Sequence, residues 1–395
     1  MEHFFATCPR GLERVLADEL AALGAREVTP VDGGTAFAGE LALCYAANLE
    51  SRVASRVLWQ VGRARYQTEH DIFEAARALP WPRFFDVRRT IRVNVSAIKS
   101  PVKSLDFVTL RVKDAVCDGF RAKNGIRPDV DTQSPDVRIH AFLTRDEATF
   151  YLDTSGEALF KRGWRAAGGE APLRENLAAG ILKLTGWAAP ATLYDPMCGS
   201  GTFLIEAAMM ALDAAPGVNR SFGFEKLENF EEKKWRALRD KAVARRKPPL
   251  PLPIHGADKL GSVLKLAREN LAAAGMENAV QLKQMDILDG SPPVPPGVVV
   301  MNPPYGERLA EESDLAAFYP KLGDALKQRY AGWTAYILSA DMQLPKLIGL
   351  KASRRTPLFN GALECRLFEY RMIAGTLRRA KSATAENAEK NKNNA

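Results

Sequence analysis

Cysteine and histidine are scarce in this sequence, and the few that occur are scattered. The 395 residues contain five cysteines and four histidines, and no two cysteines form a C-x-x-C pair. Structural zinc sites and disulfide frameworks need several such residues at characteristic spacings. The composition therefore argues against both, predicts no metal centre, and favours a reducing compartment, which we expect to be the cytoplasm.

Long apolar runs are also missing. The amino-terminal sequence MEHFFATCPRG has no basic stretch followed by an apolar core, so we expect no signal peptide. No run approaches the roughly 20 apolar residues of a transmembrane helix, so no membrane partner is expected. With 46% hydrophobic and 26% charged residues, the composition is typical of a globular protein. The length predicts two or three domains and leaves the oligomeric state open.

Acidic residues are outnumbered in one part of the chain. The net charge is +8, and the stretch between Arg52 and Arg127 contains sixteen Lys+Arg against seven Asp+Glu. Such a block suits a polyanion such as RNA, although an ordinary solvated surface is the alternative. The pattern predicts a long helix over 104–124, opened by a Ser104 cap and ended before Gly125. We predict RNA contacts on and beside this helix, at Lys103, Arg111, Arg121 and Lys123.

A polar connector with two glycines, TSGEALFKRGWR, follows at residues 154–165. It places three cations around one indole ring. One interpretation is a linker whose tryptophan packs on a domain edge, and the other is a contact with RNA phosphates and a base. The residues predicted to make that contact are Lys161, Arg162, Trp164 and Arg165.

The most informative stretch is LYDPMCGSGTFLIEA at 193–207. A short apolar strand runs into Asp195, a turn with Gly199 and Gly201 follows, and an apolar helix begins near Thr202. In a doubly wound sheet, this unit presents backbone N–H groups and a helix N-terminus to a ligand. A plain packing turn is the alternative on this stretch alone. No Gly-Lys-Ser/Thr follows the glycines, which excludes a P-loop.

Acidic residues also end two later predicted strands. Asp258 ends the strand IHGAD, and Asp286 follows the strand predicted over 280–285. The carboxyl ends of parallel strands share one edge, so a ligand across that edge meets Asp195, Asp258 and Asp286 in turn. An adenosine needs acceptors for its ribose hydroxyls, which Asp258 suits, and for its amine, which Asp286 suits. The interval between Asp195 and Asp258 contains a predicted loop and a basic helix, which we interpret as an insertion.

The sequence MNPPYG at 301–306 follows a short, fully apolar strand. Asn302 offers a side-chain carbonyl, while Pro303 and Pro304 donate no N–H and present rigid carbonyls. Tyr305 offers a flat stacking surface, so the set describes a pocket for a planar ring that bears an amine. A base would reach such a pocket by leaving its stack, and catalysis would rest on positioning. The alternative is a rigid turn. Cys198 has no histidine near it in sequence and is expected to be a packed residue.

At this point the chain resembles a known family. The sequence DPMCGSGTFLIEAA followed by MNPPYGERL resembles the class I S-adenosylmethionine-dependent methyltransferases that modify exocyclic amines of nucleobases. The amino-terminal half, with SGEALFKRGWR and APLRENLAAGIL, resembles the THUMP-containing RNA methyltransferases. The stretches FGFEKLENF and NGALECRL are similar to the bacterial guanine-N2 methyltransferases of large-subunit ribosomal RNA.

The resemblance implies an α/β fold in which a ferredoxin-like unit and a THUMP domain precede a Rossmann-like class I methyltransferase domain. The expected regions are a ferredoxin-like unit at 1–54, a THUMP domain at 55–156, a connector at 157–171, the methyltransferase domain at 172–375 and a disordered tail at 376–395. Some family members continue into a second methyltransferase domain where this chain stops, so a single modification is expected.

The resemblance also implies a methyl donor, a substrate and a set of site residues. S-adenosylmethionine would contact Asp195, Pro196, Cys198, Gly199, Gly201, Thr202, Asp258, Asp286, Ile287 and Asn302. The target amine would be held by Asn302, Pro303, Pro304 and Tyr305. Relatives often carry a second acid after the ribose-binding aspartate, and this chain has Lys259-Leu260 there, which weakens the assignment of that loop.

The implied reaction is methyl transfer to the N2 amine of a guanosine in 23S ribosomal RNA or in an assembly intermediate. Three alternatives stay open at this point. They are a guanine-N2 methyltransferase of tRNA, an adenine-N6 methyltransferase of DNA, and a non-catalytic RNA-binding factor that retains the fold.

Overall fold

The structure, a computed structural model, describes residues 1–165, 173–303 and 312–373. The predicted tail and part of the connector lie outside these residues. The chain divides into two compact units. Unit 1 comprises residues 1–184, 209–249 and 358–362, and unit 2 comprises 185–208, 250–357 and the chain from 363 onwards.

The elements follow one another in mixed α/β order. They are β1 (Glu2–Thr7), α1 (Glu13–Ala22), β2 (Arg26–Val31), β3 (Gly34–Gly39), α2 (Ala42–Glu50), β4 (Arg56–Arg65), α3 (Glu69–Ala78), β5 (Ile91–Ala97), α4 (Leu105–Asn124), β6 (Val137–Leu143), β7 (Glu147–Asp153), α5 (Glu175–Thr185), β8 (Leu193–Asp195), α6 (Thr202–Ala211), α7 (Glu232–Arg245), β9 (Ile254–Asp258), α8 (Gly261–Ala273), β10 (Gln281–Gln284), β11 (Val298–Met301), α9 (Glu312–Arg329), β12 (Thr334–Ser339), α10 (Leu344–Leu347), β13 (Arg354–Asn360) and β14 (Leu363–Arg371). Short 3-10 turns lie at Trp81–Arg83 and Gly223–Lys226.

Unit 1 contains a seven-stranded sheet in the order β2-β3-β1-β4-β7-β6-β5. Its neighbouring strands are antiparallel except for the parallel pair of β5 and β6. Strand β4 pairs with β1 through Arg56–Trp59 and with β7 through residues 58–65. The ferredoxin-like and THUMP regions therefore share one continuous sheet, with β4 as the common strand.

Helix α4 shows how local sequence sets an element in this unit. The Ser104 hydroxyl accepts a hydrogen bond from the Phe107 N–H at 3.2 Å, and Gly125 ends the helix with a φ of +73°. These are the favoured start and stop residues of a helix, so the predicted boundaries are confirmed. The buried face lies on the sheet-facing side of the 3.6-residue period and consists of Val108, Val112, Ala115, Val116, Cys117 and Phe120.

A second seven-stranded sheet, in the order β10-β9-β8-β11-β12-β14-β13, lies in unit 2 except for the last residues of β13. The strands from β10 to β12 run parallel, and β14 is antiparallel to β12. After β8 the chain builds outward on one side through β9 and β10, and then on the other side through β11 and β12. This reversal beside the first strand is the switch point at which doubly wound sheets bind ligands. The predicted Rossmann-like fold is confirmed.

The core of unit 2 lies around the central strands. Tyr194, Val299 and Ile337 come from β8, β11 and β12 and are at most 2% exposed. Strands buried on both faces read as continuous apolar runs, as the VVVM of β11 does. This core fixes the strand ends that carry the polar residues described next. No helix among the described residues is long and apolar enough to cross a membrane.

Candidate active site

Four polar side chains lie at the carboxyl ends of four adjacent parallel strands. Asp195 and Asp258 are the last residues of β8 and β9, Asp286 lies two residues beyond β10, and Asn302 directly follows β11. These strands are neighbours in the order β10-β9-β8-β11 and all run in the same direction. The structure thus brings the four residues predicted from the strand ends to one edge of the sheet.

The glycine turn after β8 has a backbone that only glycine adopts readily. The φ angles of Gly199 and Gly201 are +53° and +83°. A Cβ added at Gly199 would meet nothing within 4 Å, whereas one at Gly201 would lie 3.5 Å from the Ala267 Cβ. Gly199 therefore borders open space where a ligand can approach the backbone, whereas at Gly201 a Cβ would make an ordinary contact with α8 and the positive φ accounts for the glycine.

Asp258 ties the glycine turn to the end of β9. Its Oδ2 accepts a hydrogen bond from the Gly199 N–H at 3.1 Å, and its Oδ1 accepts one from the Leu260 N–H at 3.0 Å. Each carboxylate oxygen has a second lone pair. The carboxylate can therefore hold the turn and still accept a ribose hydroxyl, so the predicted role is compatible with this structural one.

Asp195 is 2% exposed, and its Oδ1 accepts a hydrogen bond from the Met197 N–H at 3.1 Å. Burial, and then the neighbouring charge of Asp258, raise the pKa of Asp195 well above its ordinary value. A cation placed beside Asp195 would oppose this shift and favour the carboxylate. The site is thus able to couple the binding of a cationic group to the loss of a proton.

The residues around Asp195 are packed. Pro196 and Thr202 are buried, and Cys198 is 6% exposed. Burial raises the pKa of the Cys198 thiol, which keeps it protonated and a poor nucleophile. This agrees with the expectation of a packed residue in the turn.

Asn302 carries a buried acceptor. Within residues 1–165, 173–303 and 312–373, its Oδ1 atom is shielded from solvent and has no hydrogen-bond partner. A buried carbonyl without a partner costs about 1–3 kcal/mol, so such a group calls for a donor that arrives with a ligand. Pro303 is buried beside it, while Pro304 and Tyr305 lie outside the described residues.

Two residues that the sequence interpretation missed hold the loops of this edge. Arg329, the last residue of α9, donates to the Ile287 carbonyl at 3.3 Å and also to the Leu288 carbonyl. The Asp286 Oδ1 accepts from the Leu288 N–H at 2.9 Å. Arg329 thereby fixes the loop that carries Asp286 and the buried Ile287. A basic residue at a helix end gives no sequence signal for such a remote contact.

Asn270 supports the glycine turn from beneath. Its Nδ2 donates to the Ser200 carbonyl at 3.0 Å, and the residue is fully buried in α8. The sequence does contain a signal for this residue, because Asn270 lies three residues after Ala267 on the apolar face of an amphipathic helix. A polar residue at such a position is expected to make a specific hydrogen bond.

The residues predicted to contact RNA around α4 lie towards both ends of that helix. Lys103, Arg121 and Lys123 are exposed, and Arg121 pairs with Asp118 at 3.2 Å. Arg111 is half-buried, with its guanidinium 4.0 Å from the centre of the Phe73 ring. Since a helix rises 1.5 Å per residue, Arg111 and Lys123 are about 18 Å apart along α4, and Lys103 precedes its first residue. These residues are spread along the helix and do not form one compact site.

The connector residues divide into two groups. Arg162 is 6% exposed and donates to the Leu159 and Arg52 carbonyls at 2.7 and 2.6 Å, and Trp164 is 4% exposed. Both are turned inward, so we withdraw these two as RNA contacts in favour of the packed-linker interpretation. Lys161 is exposed and pairs with Glu157, while Arg165 pairs with Glu175, each at 2.7–2.8 Å.

Comparison with known families gives three consecutive matches along this chain. The RlmL ferredoxin-like domain matches residues 3–58, the THUMP domain matches 66–153, and the family described as RMKL-like, methyltransferase domain, matches 162–369. The order of the three agrees with the order expected from the sequence.

Individual proteins are similar over the whole chain. The "Ribosomal RNA large subunit methyltransferase K/L" of Aeromonas salmonicida is 38% identical over 414 aligned residues, covering 100% of this chain and 57% of the relative. The "Putative RNA methyltransferase slr0064" of Synechocystis is 37% identical, over 93% of this chain and 96% of the relative. The chain spans little more than half the length of the K/L relatives.

A solved structure is similar over nearly the whole chain. The crystal structure of SMU.472, described as a putative methyltransferase complexed with SAH, aligns with a TM-score of 0.85 and 31% identity. The alignment covers 95% of this chain and 99% of that one.

Proposed function

Since this chain belongs to the RMKL-like methyltransferase family, we propose that it transfers a methyl group from S-adenosylmethionine to the N2 amine of a guanosine in 23S ribosomal RNA. The observation that carries this proposal is the row of Asp195, Asp258, Asp286 and Asn302 along one sheet edge. S-adenosylmethionine supplies an electrophilic methyl group on a positively charged sulfur.

The carboxyl edge of the sheet offers a group for each part of the methyl donor. Open space at Gly199 admits the amino-acid end, whose ammonium group Asp195 can face as a carboxylate. Asp258 retains lone pairs for the ribose hydroxyls, and Asp286, beside the buried Ile287, is proposed as the acceptor for the adenine amine. We therefore propose these residues, together with Pro196, Cys198, Gly201 and Thr202, as the cofactor site.

Asn302 would hold the target amine. Its buried, unpaired Oδ1 accepts one amine hydrogen, and the Pro303 carbonyl, whose residue cannot donate, accepts the other. The two contacts would aim the nitrogen lone pair at the methyl group that S-adenosylmethionine supplies, and the methylated amine would release its extra proton to solvent. The acceleration comes from orientation, without a strong base or covalent nucleophile. We propose that Pro304 and Tyr305 complete this pocket.

The proposal that the substrate is RNA rests on features of unit 1. A THUMP domain and a basic helix precede the methyltransferase unit, and the K/L relatives are named for large-subunit ribosomal RNA. We propose Lys103, Arg111, Arg121, Lys123, Lys161 and Arg165 as phosphate contacts. A DNA adenine-N6 methyltransferase shares the Asn-Pro-Pro-Tyr sequence and would have no need of these regions.

The identity of the product tests the proposal. We expect the purified chain, incubated with unmodified 23S ribosomal RNA and S-adenosylmethionine, to yield N2-methylguanosine after nuclease digestion and mass spectrometry of the nucleosides. Duplex DNA and tRNA transcripts assayed in parallel should remain unmodified. N6-methyladenosine as the product would disprove the base assignment, and methylation of tRNA alone would disprove the ribosomal one.

Arg329 provides a test of the adenine loop. Arg329→Met removes the Nη2 atom that donates to both the Ile287 and Leu288 carbonyls, so the loop that carries Asp286 should lose its fixed position. We expect the Kd for S-adenosylmethionine to rise about fivefold, which corresponds to about 1 kcal/mol, with little change in kcat at saturating methyl donor. Titration calorimetry measures the first quantity and a methylation assay the second.

A matched control lies on the same helix. Lys327 is two residues earlier in α9, and its ion pair within the described residues is a local one, with Asp324 at 3.2 Å. Lys327→Met should leave the affinity for S-adenosylmethionine unchanged. Equal losses in the two variants would show that Arg329 acts through general charge and has no part in positioning the loop.

A further inference from the structure

Helix α7 and its flanking residues carry a net positive charge and are not part of the proposed active site. Residues 231–247 contain eight Lys+Arg and three Asp+Glu, a net charge of +5, whereas the whole chain has a net charge of +8. The helix lies in the insertion predicted between Asp195 and Asp258, and the predicted basic helix is confirmed at Glu232–Arg245. The insertion segment 209–249 belongs to unit 1.

The helix is fixed at both ends. Trp235 is 4% exposed and packs edge-on against the rings of Phe222 and Phe224, with centroid distances of 5.5 and 5.2 Å. At the other end, Arg245 forms ion pairs with Glu50 and with Asp213, the latter at 3.2 Å. A helix held in this way presents its outward side chains from a rigid backbone.

The outward side chains include cations without acidic partners. In the described part of the chain, no carboxylate lies within 4.0 Å of the charged nitrogens of four exposed residues of this segment. They are Lys233, Arg239, Lys241 and Lys247. Lys234 and Arg236 pair with Glu231 and Glu232 one turn away. Such exposed local pairs contribute at most about 1 kcal/mol and would be exchanged readily for a polyanion.

The distribution of apolar residues on α7 distinguishes between two possible polyanionic partners, a membrane surface and a nucleic acid. A helix that binds a membrane surface exposes large apolar residues along one face. In α7 the tryptophan is buried, and Val243 is the one large apolar residue classed as exposed. The exposed surface therefore offers charge without an apolar face, which suits the phosphate backbone of a nucleic acid.

We propose that α7 is an RNA-backbone contact surface, in which Lys233, Arg239, Lys241 and Lys247 neutralise phosphates of the RNA substrate without reading its sequence. This rests on the proposed function, because the substrate must be RNA. It adds a contact surface in the insertion to those predicted around α4 and in the connector. Phosphate contacts of this kind position a substrate and leave the choice of base to the active site.

The salt dependence of RNA binding tests this surface. The variant Lys233→Gln/Arg239→Gln/Lys241→Gln of this chain should bind unmodified 23S ribosomal RNA about tenfold more weakly near 100 mM salt. The slope of log affinity against log salt should fall in magnitude by about two, since each lost phosphate contact contributes roughly 0.7 to 0.9. Because the three residues are exposed, the thermal midpoint and the affinity for S-adenosylmethionine should not change.

The matched control removes the same charge from the other unit. Lys265, Arg268 and Lys346 are exposed residues of unit 2, and Lys265→Gln/Arg268→Gln/Lys346→Gln should leave the salt slope unchanged. An unchanged salt slope in the α7 variant, or an equal reduction of the slope in the control, would overturn the inference about α7. The proposed function would still be upheld if the unaltered chain methylates RNA. If the unaltered chain methylates no RNA, the proposed function itself fails.

Discussion

Asn302→Ala should reduce kcat for RNA methylation by about 100-fold, equivalent to about 2.7 kcal/mol of transition-state stabilisation. The reason is the buried Oδ1 atom, which has no partner among the described residues and is proposed to accept a hydrogen from the target amine. Alanine leaves the amine free to rotate, and its lone pair no longer points at the methyl group. Single-turnover methylation at saturating S-adenosylmethionine measures the effect on the chemical step.

The isosteric change Asn302→Asp is the matched variant. It keeps an acceptor oxygen in the same place and should therefore retain more activity than alanine. The affinity for S-adenosylmethionine, measured separately, should change much less than kcat in both variants if the residue acts mainly on the amine. A loss smaller than tenfold in Asn302→Ala would show that the target amine is held elsewhere.

The doubly wound fold was predictable because its signals are local. Apolar strands followed by acids, a turn with two glycines, and capped amphipathic helices each obey short-range rules, as α4 illustrates. Strand β13 at Arg354–Asn360 was not predicted. Its sequence RRTPLFN has cations and a proline and no alternating pattern, and it lies at the edge of the sheet, where pairing on one side determines the strand. This strand can be identified only from its pairing with β14 in the structure.

The shared sheet of unit 1 was also hidden from the sequence. The pattern predicted β4 as a strand, but which strands lie beside it depends on contacts with β1 and β7. Every residue of β4 that pairs with these strands is 49 or more residues away from its partner along the chain. Pairing of this kind is a non-local property, so two regions that match separate families look like separate units in sequence.

Within the candidate site, residue types were predictable and their partners were not. Asp258 was assigned to a ribose, and nothing in the sequence indicated that the Gly199 N–H also donates to it. Arg329 acts on a loop about 40 residues away. In the connector, Arg162 and Trp164 showed a composition typical of RNA contacts, and burial decided against them. Composition predicts what a side chain can do, and the packing of the folded chain, which the sequence does not show, favours one of the alternatives for residues such as these two.

Binding of S-adenosylmethionine should release protons through Asp195. Burial and the charge of Asp258 raise the pKa of this carboxyl in the free protein, and the ammonium group of the ligand would favour the carboxylate. Below the raised pKa, binding must then expel up to about one proton, and the affinity must increase with pH. Calorimetric titrations in two buffers of different ionisation enthalpy measure the number of protons released.

Asp195→Asn should abolish this linkage. The amide can still accept from the Met197 N–H but offers no charge to the ammonium, so the affinity should fall about thirtyfold or more. Asp289→Asn, which changes an exposed acid of the same unit, should preserve both the affinity and the proton release. Proton release that persists in Asp195→Asn would assign the coupling to another group.

The same substitution should have the opposite effect on stability. A carboxyl whose folded-state pKa lies above its unfolded value binds a proton more tightly in the folded state, so the free energy of unfolding decreases as pH rises from the unfolded pKa towards the folded one. Asp195→Asn removes that penalty, and the free protein should unfold at a higher denaturant concentration than the unaltered chain, with a difference that grows with pH over this range. Asp195 would thus lower the stability of the free protein and raise its affinity for the ligand. The free-energy cost of burying its carboxylate is offset only when the cationic group is bound, as is expected at a site selected for ligand binding.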